Sequence, residues 1–173
     1  MTLVTHRRLV ASIGTAGLAA LATAAAANPG GTIFKAELTG YQEVPAISSP
    51  GSGTFVARAL PNGQAIQYTL YFDGLQGNVT QAHIHVGQHG VSGGIAIWLC
   101  GTATNPGPAG TPTCVPGTNI TGVITAQSVV GPAGQLVAAG ELEEVLQAME
   151  AGVAYANVHS TSAPLGEIRG QIR

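Results

Sequence analysis

Residues 53–72 read GTFVARALPNGQAIQYTLYF. Two runs rich in β-branched and aromatic residues flank Pro61-Asn62-Gly63. Asn-Gly between such runs signals a hairpin, because both residues tolerate the positive φ of a tight turn between twisted strands. Outward from this stretch the pattern recurs. TIFKAEL (32–38) sets Phe34, Ala36 and Leu38 on one face, with Lys35 and Glu37 on the other. That is the period-2 alternation of a half-buried strand. VTQAHIHV (79–86), GIAIWLC (94–100), NITGVIT (119–125), GVAYANVHS (152–160) and GEIRGQIR (166–173) add further short runs between turn signals. About eight strands are predicted, in an all-β sandwich or barrel. One segment breaks the pattern. GELEEVLQAMEAG (140–152) carries Leu142, Val145, Leu146 and Met149 at helical spacing, acidic residues where the helix dipole favours them, and Gly152 as a stop.

The chain has 173 residues, 45% of them apolar and only 8% charged, with 25 glycines and 10 prolines. This suits one domain with a substantial core and many turns. A formal charge of −2 offers no basic patch, which argues against nucleic acid or an anionic membrane as partner. Arg7 and Arg8, the Ala-rich apolar run to Ala27, and small residues at Ala25 and Ala27 have the three-part form of a secretory signal peptide. Residues 1–27 are read as that signal and 28–173 as the mature domain, exported to the periplasm or the extracellular space, with no membrane attachment after cleavage. In an oxidising compartment the two cysteines, Cys100 and Cys114, which flank a Gly/Pro loop, are expected to form a disulfide.

Three of the five histidines fall within AHIHVGQHG (82–90). Alternation places Ala82, Ile84 and Val86 on the core face and His83 and His85 on the other. In GVAYANVHS, Ala154, Ala156 and Val158 share the core face, and Tyr155, Asn157 and His159 oppose it. If the two strands are neighbours, His83, His85 and His159 converge on one patch of the outer face of the sheet. Three imidazoles suit copper, and zinc less well. An H-x-H pair alone is a weak motif, and histidines on strands are often only solvated. His89, three residues beyond the strand, is read as a fourth ligand or a solvated loop residue. Tyr155 and Asn157 are candidates to orient a ring nitrogen. Glu167 and Arg169 are read as a surface pair. No nucleophile elbow, phosphate loop or dinucleotide fingerprint is present.

FKAELTGYQEVP (34–45), AHIHVGQHGVSGGIAIWL (82–99) and GVAYANVHSTSAPLGEIRGQIR (152–173) together resemble the CHRD domain, the module named in chordin and widespread in secreted bacterial proteins. The resemblance implies a Greek-key β-sandwich similar to copper–zinc superoxide dismutase. There, an H-x-H strand and a later V-H hold copper, matched here by His83, His85 and His159, and a C-terminal arginine is loosely matched by Arg169. The zinc cluster of that family has no counterpart, since no aspartate follows Asp73. The leading expectation is an exported copper-binding domain in metal handling or protection. The alternatives are an extracellular protein-interaction module without metal and a superoxide dismutase-like enzyme with Arg169 steering an anion.

Overall fold

The computed structural model describes residues 31–173; the proposed signal peptide, with His6, lies outside them. Eight antiparallel strands form one sheet, all but closed into a barrel. They are β1 (Ile33–Thr39), β2 (Ser52–Ala59), β3 (Ile66–Asp73), β4 (Val79–Val86), β5 (Gly94–Gly101), β6 (Ile120–Ile124), β7 (Ala154–Ser160) and β8 (Ile168–Gln171). Their order is β5-β4-β7-β8-β1-β2-β3-β6. β7 returns beside β4 and β6 beside β3, the crossing connections of a Greek key. The Pro61-Asn62-Gly63 turn joins β2 to β3 with Ala59 opposite Ile66, and Gly63 adopts φ 66°.

The seam between β8 and β1 is a single ladder pair, Thr39 with Arg169, reinforced by mutual backbone hydrogen bonds between Lys35 and Arg173. It divides the sheet into two four-stranded halves that pack face to face. Phe34, Leu38, Phe55, Ile66, Leu70 and Phe72 from one half meet Ile84, Ile97, Leu99, Val158 and Ile168 from the other. The far edge is drawn shut by a bridge between Ile97 and Val129 and by the Tyr68 hydroxyl donating to the Leu99 carbonyl at 2.5 Å. Helix α1 (Leu142–Glu150) seals one end, burying Leu142, Val145 and Met149 as its periodicity predicts. It stops where Gly152 takes φ 68°. No helix of the described residues is long and apolar enough to cross a membrane. Cys100 and Cys114 lie at disulfide distance, 2.01 Å between sulfurs.

One expectation needs correction. β1, β2 and β3 alternate between buried and exposed residues, but β7 and β8 are buried along their whole length. The face away from the core is therefore not an open surface on that half. Chain from 40–51, 87–93 and 161–166 folds back over it. Glu167 and Arg169 are not a surface pair either. They are 1% and 2% exposed, and each has its own partners.

Candidate metal centre

β4 and β7 are neighbours, with His83 opposite Asn157, His85 opposite Tyr155 and Gln81 opposite His159. This register brings His83, His85 and His159 together, one ring nitrogen from each lying within 4.8 Å of the others. The side-chain face is the one alternation predicts. The exposure is not, because the three rings are only 0%, 7% and 5% exposed. His89 lies on an exposed turn and is outside the cluster.

Two backbone carbonyls set the rings. His85 Nδ1 lies 2.9 Å from the Gly93 carbonyl, and His159 Nδ1 lies 3.1 Å from that of Pro164. A carbonyl only accepts, so each Nδ1 carries the proton and each Nε2 carries the lone pair. His83 Nδ1 lies 3.1 Å from His159 Nε2. With His159 Nε2 as acceptor, His83 Nδ1 donates, and the lone pair of His83 also falls on Nε2. The Nε2 atoms of His83 and His85 are buried with no hydrogen-bond partner. A buried acceptor left unmade costs about 1–3 kcal/mol. Gly93 permits this arrangement, since a Cβ there would overlap the Val86 carbonyl oxygen. The loop can therefore double back and aim its own carbonyl at His85.

Aromatic residues wall the cluster. Trp98 meets His83 edge-on, with centroids 4.4 Å apart. Tyr155 stacks on His85 at 4.8 Å, with its hydroxyl 3.1 Å from the Gly93 amide. The Arg169 guanidinium lies 3.5 Å from the centre of the Tyr155 ring and donates to the Gln88 carbonyl. Asn157 does not reach a histidine; its Nδ2 donates to Glu43 Oε1 at 2.6 Å and to the Ile168 carbonyl. Glu167 accepts from Ser49 Oγ, Ser160 Oγ and the Gln76 amide. It thereby pins the turn that carries Pro164.

Burial dominates the electrostatics. It pushes His83 down to about 2, helped by the charges of His159 and His85. It pushes His85 down to about 4, against the Gly93 bond and with His159 and Arg169 adding to the shift. His159 is lowered by burial, partly offset by its bond to Pro164. Glu43 is raised to about 7 by burial, against the Asn157 bond, Arg169 and a Val44 backbone bond. All three imidazoles are therefore neutral near pH 7, the form a metal requires. Metal–nitrogen bonds of about 2.0–2.1 Å place ligand atoms about 3–3.5 Å apart. One ring nitrogen from each histidine lies within 4.8 Å of the others, so drawing the widest pair to that spacing needs a shift of about 1 Å.

Fold and site define a small all-β domain with a buried cluster of three histidines that can hold a metal ion. The family model of the CHRD domain matches residues 34–172, and the chain belongs to that family. No curated protein and no solved structure matches it, so the likeness to superoxide dismutase rests on the sequence motifs alone.

Sequence reasoning missed Glu43, Trp98 and the Gly93 and Pro164 carbonyls. Trp98 follows the H-x-H strand in an adjacent predicted strand, which was a usable signal. The carbonyls carry no signal in residue type.

Proposed function

We propose that the protein is exported and that His83, His85 and His159 hold one copper ion, in metal handling or protection. The observation that carries this reading is the pair of buried, unpartnered Nε2 atoms on His83 and His85. They belong to a cluster whose other polar atoms are satisfied by carbonyls or by a neighbouring ring. Copper suits a purely imidazole donor set better than the hard oxygen-seeking cations do. Bound copper would supply a Lewis-acidic, redox-capable centre. The chain's own contribution is to orient the rings through Gly93, Pro164 and Tyr155 and to exclude water.

The test is copper stoichiometry on protein carrying no affinity tag. The wild-type chain is expected to bind about one equivalent. The H83A/H159A double variant, confirmed folded by circular dichroism, is expected to bind none. Wild-type stoichiometry in that variant, or no copper bound by the wild type, would sink the proposal.

A further inference from the structure

Resting on the copper-site reading, we propose that the cluster selects the monovalent, cuprous ion over divalent ions. Three features converge on this. The first is charge. The donor set is three neutral imidazoles, and among the described residues no carboxylate or free thiolate belongs to the group. Cys100 and Cys114 are paired with each other. The carboxylates packed nearby are engaged elsewhere, Glu43 with Asn157 and Glu167 with Ser49, Ser160 and the Gln76 amide.

The second is the surrounding charge and burial. The charge stacked toward the cluster is a cation, because Arg169 lies on Tyr155 and Tyr155 lies on His85. The Born cost of moving an ion out of water grows with the square of its charge, so a dication is penalised about four times as heavily as a monocation. The neutral donor set contributes no negative charge to offset it.

The third is coordination number. His83, His85 and His159 are 0%, 7% and 5% exposed, and Trp98 and Tyr155 close over the rings. Divalent copper prefers tetragonal coordination, and zinc takes four ligands in a tetrahedron. Both would have to recruit water into a site walled by aromatic rings. A filled-shell monovalent ion is satisfied by two or three nitrogens. Selection here comes from charge and coordination number, not from the softness of the donors.

The experiment is an anaerobic competition against bicinchoninate for the cuprous ion, with separate titrations of cupric and zinc ions on the same preparation. The cuprous ion is expected to bind one to one, more than about tenfold tighter than either divalent ion. A divalent ion bound within tenfold of the cuprous ion, or tighter, overturns the selectivity while leaving the copper site standing. A protein that takes up none of the three ions overturns the site itself.

Discussion

Reducing the Cys100–Cys114 bond should cost the domain about 3 kcal/mol. The two cysteines are 14 residues apart in sequence, and releasing a loop of this size restores about that much entropy to the unfolded chain. Little within the loop compensates. Its internal backbone hydrogen bonds are few: Gly101 to Pro112, Cys114 to Gly101, the mutual pair of Thr102 and Asn105, and Thr111 to Pro108. Domains of this size are commonly stable by about 5–15 kcal/mol, so the loss is a large fraction of the total. Urea unfolding at pH 7, with and without a phosphine reductant, measures it directly. For a slope of about 2 kcal/mol per molar, the midpoint should fall by about 1.5 M, and the slope should rise as the unfolded chain expands. The chain's single tryptophan adds a local readout. A Cβ on Gly107 would come within 2.7 Å of the Trp98 ring, so the loop lies directly on the indole that packs against His83. Emission from Trp98 should shift to the red on reduction, at urea concentrations where circular dichroism still reports a folded sheet. A midpoint shift worth less than about 1 kcal/mol would refute the loop-entropy reasoning.

Two further outcomes follow from buried carboxylates. Glu43 has a folded pKa of about 7, above its ordinary 4.5, so its contribution is fully present below pH 4.5 and is lost as the pH rises through 7. Relative to E43Q, which stays neutral, the wild type should therefore lose about 3 kcal/mol between pH 4.5 and pH 8; a pH-independent difference in urea midpoints would contradict this. E167Q puts an amide NH2 where a carboxylate oxygen accepts from Ser49, Ser160 or Gln76. The loosened turn at Pro164 should weaken copper binding about tenfold or more and lower stability by about 2 kcal/mol; unchanged copper affinity in a folded E167Q chain would separate Glu167 from the site.

Much of the fold is legible in residue order. The Asn62-Gly63 turn, the alternation of Phe34, Ala36 and Leu38, and the helical stripe of Leu142, Val145 and Met149 each follow from local physics, and each is where it should be. The side each histidine takes is legible, because period 2 sorts every residue of β4 and β7 without knowledge of the rest of the chain; that β4 and β7 are neighbours is supplied by the topology. Alternation says which way His83 points, but not what lies on top of it. The burial of that face depends on three loops, and their path depends on contacts between residues far apart in sequence. Glu167 meets Ser49 across 118 positions, and Asn157 meets Glu43 across 114. For the same reason Glu167 and Arg169, two residues apart on paper, serve separate networks.

The ring orientations of His85 and His159 are set by main-chain oxygens of Gly93 and Pro164. An alanine scan removes side chains and leaves every carbonyl in place. It would therefore find the histidines and Glu167, and pass over the two carbonyls that aim the rings. The aiming groups are carried in loop path: a glycine that lets residues 87–93 double back, and a turn pinned from below by a carboxylate. Most side chains in these loops do not carry the carbonyls' positions and should tolerate replacement without disturbing the cluster. Inserting or deleting a single residue in either loop should displace the carbonyl that aims its ring, Gly93 for His85 and Pro164 for His159. For these two rings, the path of the loop backbone matters more than most of the side chains it carries.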